Sequence, residues 1–81
     1  MNNQEIIRTL TVKYGVIETL RYYLRGAKSA AASMKVGAAE NNPMQAVKDL
    51  EVLIDNLQMM DSIIQDKDNR PAIIALEDSL K

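Results

Sequence analysis

The stretch NPMQAVKDLEVLIDNLQMMDSII, residues 42–64, decides the fold. Asn42 is a good helix N-cap, Pro43 suits the first helical position, and Gln45 stands where a capping-box glutamine belongs. From there Ala46, Leu50, Leu53, Leu57, Met60 and Ile64 recur at steps of four and three. That spacing keeps one face of a helix apolar and makes a seam for a second helix. Val47 and Ile54 widen the stripe, which suits a bundle better than a narrow two-stranded coil. The segment DKDNRP, residues 66–71, ends it, because the residue before a proline avoids helical dihedrals. The pattern predicts a helix over about residues 43–66.

Outward from that helix, the N-terminal side carries a longer one, predicted over about residues 3–35. Ile6, Leu10, Ile17, Leu20, Leu24, Ala27, Ala31 and Met34 alternate by four and three, apart from a gap at Lys13. Its weak stretch is residues 9–15. Thr9, Thr11 and Val12 are β-branched, as is Val16 just beyond, and Gly15 costs about 1 kcal/mol relative to alanine inside a helix. A break there would leave residues 2–12 as a separate arm. On the C-terminal side a short helix is predicted over about residues 71–80, with Ile73, Leu76 and Leu80 on one face.

The connection Val36–Asn41 is short, so the two long helices should be antiparallel neighbours. At about 1.5 Å per residue the first outruns the second by roughly nine residues. The third helix has about that length and is expected to cover the overhang, in its own chain or in a neighbour. The expected fold is all-α and a single domain over residues 1–81. It is a long antiparallel helical hairpin with an N-terminal arm and a short C-terminal helix, assembling into a helical-bundle homo-oligomer.

Composition supports assembly and narrows the chemistry. The chain has 81 residues and is 47% apolar, yet it contains no Phe and no Trp and only three Tyr. A small aliphatic core without disulfide or metal needs well-packed helices or oligomerisation. There is no Cys and no His, which removes disulfides, thiol nucleophiles, zinc fingers and imidazole bases. We therefore expect no catalytic residues, no metal and no cofactor. No apolar run has the roughly 18 residues of a membrane span and no secretory pattern opens the chain, so a cytoplasmic protein is expected. The net charge of −1 gives no general argument for nucleic acid or membrane. Its distribution is uneven. Residues 1–36 hold six bases and two acids, and residues 37–81 hold four bases and nine acids. Two surfaces made to meet, within one chain or between copies, would account for that split.

Four features could carry function. The run GAKSAAASMKVGAA, residues 26–39, is small-residue rich. Gly26, Ala30, Ser33 and Gly37 recur at three or four residues and would allow close helix approach, as an interface or as the floor of a flat ligand site. Tyr14, Arg21, Lys28 and Lys35 fall at intervals of seven, with Arg25 one turn from two of them. Tyr14, Arg21, Arg25 and Lys28 are the candidate anion site: the cations would grip phosphates and the ring would stack on a base. The plainer reading pairs that stripe with Asp49, Glu51 and Asp55. Tyr22 and Tyr23 point about 100° apart, so at most one faces the core of its own chain. With Leu24, Gly26, Ala30 and Ser33 they form the candidate interface. Asp55, Asp61, Asp66 and Asp68 lack the Gly and closing Glu of a calcium loop and read as a solvated face.

An arm, a hairpin and a terminal helix in so short a chain resemble small bacterial and phage regulatory proteins. Some of these occlude a partner protein and some trap a small nucleotide inside a homo-oligomer. The likeness is architectural and carries no residues over. The surplus of helix-packing surface and the absence of catalytic residue types lead us to expect a non-catalytic interaction, regulatory or inhibitor protein acting as a homo-oligomer on a protein partner. The alternative is an oligomer that sequesters a nucleotide-like anion, cyclic or linear, through the stripe on the first helix.

Overall fold

The computed structural model describes residues 2–80, and among them the regular structure is entirely helical. Helix α1 spans Asn3–Tyr14, α2 spans Val16–Ala39, α3 spans Pro43–Gln65 and α4 spans Arg70–Ser79. A single 3₁₀ turn, Lys67–Asn69, joins α3 to α4.

The long N-terminal pattern is therefore two helices. The break falls at Gly15, whose backbone sits at φ 87° and ψ 161°. That region is almost closed to residues with a side chain. Gly15 ends α1 by donating its N–H to the Thr11 carbonyl, and its own carbonyl accepts from the Thr19 N–H in α2. The turn folds α1 back over the hairpin, so the expected N-terminal overhang does not exist. Ile7 of α1 packs with Tyr23 of α2 and Ile63 of α3 in a cluster of buried large side chains. Leu10, Val16, Leu20, Met59 and Met60 surround it.

Local capping explains the remaining boundaries. The Asn2 side chain accepts from the Glu5 N–H, and the Asn42 side chain accepts from the Gln45 N–H, with Pro43 in the first turn. At the end of α2, Asn41 adopts φ 56°, the Asn42 N–H reaches the Gly37 carbonyl, and the Asn41 N–H reaches the Ala38 carbonyl. This is a Schellman ending with asparagine in the left-handed position. It passes directly into the Asn42 cap of α3, which is why so short a turn reverses the chain. Asn69 is buried and donates its side-chain amide to the Ile63 carbonyl, satisfying an orphan acceptor in the last turn of α3.

Helices α2 and α3 form the main packed pair. Gly26 faces Asn56, and Gly37 faces Ala46 and Asn42, so the two run antiparallel. The molecule is flat, 44 × 36 × 18 Å, with a radius of gyration of 14.9 Å. A compact chain of this length would have about 12 Å. Helix α4 touches the ends of α2 and α3 and has no buried residue.

Candidate functional site

The line along which the hairpin closes takes Ala27, Leu53 and Met60 from the expected seam and leaves Leu24, Leu50, Leu57 and Ile64 outside it. On α2 the buried residues are Thr19, Tyr23, Ala27, Ala30 and Gly37. On α3 they are Asp49 and Ile63, with Leu53, Asn56 and Met60 half-buried between them. Both sets repeat at four and three, but each lies one residue before an apolar neighbour. Leu20 follows Thr19, Leu24 follows Tyr23 and Ala31 follows Ala30. On α3, Leu50 follows Asp49, Leu57 follows Asn56 and Ile64 follows Ile63.

The small residues explain the shift. Gly26 lies so close to α3 that a methyl group there would meet the Asn56 Oδ1 at 2.5 Å. A close approach along alanine and glycine brings the backbones together, and bulky leucines on that line would hold them apart. The polar side chains on the closing line bond within their own helices. Thr19 Oγ1 donates to the Gly15 carbonyl, Asn56 Nδ2 to the Val52 carbonyl, and Gln45 Nε2 to Asp49 Oδ1. The second Asp49 oxygen is buried without a partner among the described residues.

The consequence is an uncovered apolar face. One residue further on is about 100° further round a helix. Because α2 and α3 run in opposite directions, that rotation turns both outer lines to the same side of the pair. Leu24 on α2 and Leu50, Ile54, Leu57 and Ile64 on α3 are each between 43% and 49% exposed. Together they form one stripe along the hairpin.

The expected interface residues divide accordingly. Tyr23, Gly26 and Ala30 are turned into the hairpin, Tyr23 and Ala30 buried and Gly26 against Asn56. Tyr22, Leu24 and Ser33 are exposed. The two tyrosines meet edge to face at 5.1 Å between ring centroids. Burial, with a smaller contribution from Tyr22, pushes the Tyr23 phenol above its ordinary pKa.

The kink at Gly15 also dissolves the expected anion stripe, since Tyr14 no longer continues the phase of α2. Tyr14 instead lines a groove of about 390 Å³ with Leu10, Glu18, Thr19, Tyr22 and Arg25. The Lys13 ammonium sits over the Tyr14 ring at 5.2 Å. Arg21 does not line this groove but pairs at 3.1 Å with Glu18, which does, and Lys28 lines neither this groove nor its neighbour around Tyr23 and Gly26. Among the described residues, none of Arg21, Arg25, Lys28 and Lys35 pairs with Asp49, Glu51 or Asp55. Arg8 and Asp66 approach to 3.9 Å and tether α1 to the end of α3. No group of three acidic side chains suited to a metal ion occurs among the described residues, and no helix there is long and apolar enough to cross a membrane.

Comparison with protein-family models, curated proteins and solved structures finds no match.

Proposed function

We propose that this chain is a small non-catalytic interaction protein, a regulator or inhibitor of a protein partner, that acts as a homo-oligomeric helical bundle. The observation that carries this reading is the exposed leucine stripe on α2 and α3. A surface of that kind on a soluble helix pair marks a protein contact. The supporting quantity is area. The chain exposes 6141 Å², whereas a compact monomer of its 9.1 kDa mass exposes about 4,900 Å². The surplus of about 1,200 Å² exceeds the roughly 800 Å² that each partner of an ordinary stable complex covers. The sparse core points the same way. Ile7, Tyr23, Ala27, Ala30 and Ile63 are the buried apolar residues among those described, too few to hold four helices firmly.

Native mass spectrometry of protein purified from its own cells tests the reading. A homo-oligomer, alone or with a bound protein, is the expected result. A monomer across the micromolar range would overturn it.

A second reading, an oligomer that sequesters a nucleotide-like anion, is supported by the groove that brings Tyr14, Tyr22 and Arg25 together. Glu18 lines the same groove and opposes an anion there. Calorimetric titration with mono-, di- and cyclic nucleotides decides it. Sub-micromolar binding that is lost in Arg25→Gln would favour it over the first reading.

A further inference from the structure

We infer that the occupant of the leucine face is a second copy of this chain, with α2 of each copy lying antiparallel across α3 of the other, and with Arg21 of one copy opposite Asp61 of its mate. This rests on the oligomeric reading above and adds an arrangement and a register to it.

The first observation is the charge along the two edges of the face. Four residues on from a seam position lies about 40° further out, at the rim. On α2 those rim positions are basic: Arg21 after Ile17, Lys28 after Leu24 and Lys35 after Ala31. On α3 the corresponding position after Leu57 is Asp61. All four are exposed, and none forms an ion pair with the other helix of its own hairpin among the described residues. The rim of one helix is therefore positive and that of the other carries a carboxylate.

Two-fold symmetry can lay this face on itself in two ways. An axis in the interface perpendicular to the helices puts α2 on α2. The basic edge of α2, Arg21, Lys28 and Lys35, then lies on the same basic edge of the other copy, and like charges brought together at an interface are costly. An axis parallel to the helices puts α2 on α3 in both halves, which removes that repulsion and gives a four-helix bundle of alternating direction.

The second observation fixes the register. Gly26 and Asn56 face each other across the hairpin. Arg21 lies five residues before Gly26, and Asp61 lies five residues after Asn56. Each is about 7.5 Å along its helix in the same direction. Arg21 and Asp61 therefore stand at the same height on opposite edges of one face. Rotation about the parallel axis preserves height, so it carries Asp61 of the second copy beneath Arg21. Symmetry makes the contact twice. The Arg21–Glu18 pair within α2 is exposed and does not hold Arg21 firmly.

The experiment is sedimentation equilibrium at low salt on four full-length proteins: unmodified, Arg21→Glu, Asp61→Lys and the double variant, with helical content read on the same samples. Low salt keeps rim charges unscreened. The unmodified chain should be a dimer. Each single reversal should weaken dimerisation by about tenfold or more, and the double variant should recover most of that loss. Lys28→Glu, whose height faces Ile54 and no acid, should not be rescued by Asp61→Lys. Single reversals that leave the dimer unchanged, or a double variant no stronger than either single one, would overturn the arrangement while leaving a homo-oligomer standing. A monomeric unmodified chain would overturn both.

Discussion

Asn56 stands against Gly26 with no room for a side chain between them: a methyl group at residue 26 would lie 2.5 Å from the Asn56 Oδ1 and 2.9 Å from its Cγ. The same Asn56 amide donates to the Val52 carbonyl at 2.8 Å, so it is not free to swing away without losing a bond. Alanine at residue 26 should favour the helix by about 1 kcal/mol. Overpacking should cost more than that, about 1 to 3 kcal/mol. We expect Gly26→Ala to lower stability in the unmodified chain and to raise it in the Asn56→Ala background. Urea unfolding of the four members of this cycle gives the coupling. Strictly additive changes would mean that the two residues do not touch.

Gly15 predicts a different kind of failure. Nothing lies within 4 Å of where its Cβ would be, so Gly15→Ala meets no clash. Its cost is conformational, about 1 to 3 kcal/mol for a non-glycine residue at φ 87°. Relief comes from straightening, which would join α1 to α2 and pull Ile7 out of its contact with Tyr23 and Ile63. We expect a less stable protein with a larger hydrodynamic radius and undiminished helical content. Unchanged radius and stability would show that the backbone at residue 15 is not constrained.

These two glycines show where the sequence was legible and where it was not. The capping of α3 by Asn42 and the weakness at Gly15 could be read directly, because each rests on local chemistry. The end of α3 was placed correctly but for the wrong residue: Asp66 turns extended at φ −70° and ψ 125°, whereas Arg70, before Pro71, is helical at φ −57° and ψ −43° and opens α4. The helical period could be read too. The phase could be read only in part. Of the residues that mark the seam, Ala27, Leu53 and Met60 do lie on the closing line, whereas Leu24, Leu50, Leu57 and Ile64, which fit the spacing equally well, lie outside it. The closing line also holds Thr19, Asp49 and Asn56, three polar residues that no hydrophobic count selects. The usable signal was the pairing of a small-residue run on one helix with polar residues that bond within the other. Ile7 was missed for the same reason, since both Ile6 and Ile7 fit helical spacing to Leu10, at steps of four and three, and strict alternation selected Ile6. Among the candidate anion residues, Tyr14 and Arg25 line one groove without Arg21 or Lys28, because the turn at Gly15 resets the helical phase between Tyr14 and Arg21.

Tyr23 carries a pH dependence with a definite sign. Its phenol is raised above the ordinary value of 10.0, first by burial and then by Tyr22. The unfolded chain ionises at the ordinary value while the folded chain resists. The contribution of Tyr23 to stability is therefore fully present below pH 10.0 and is lost as pH rises through its raised value. Urea midpoints followed upward from neutral pH should hold and then fall above 10.0. Tyr23→Phe should remove part of that fall. A fall of the same size in Tyr23→Phe would place its cause elsewhere.

The division between an inner closing line and an outer docking line is tested most directly at Leu57, one residue beyond Asn56 and about half exposed. Light scattering on Leu57→Glu, beside the unmodified chain at the same concentration and with helical content read on both, is the measurement. We expect the unmodified chain to scatter as a dimer and the variant as a folded monomer of unchanged helicity. A variant that keeps the dimer mass, or one that loses its helices, would contradict the assignment of the leucine stripe to a second copy.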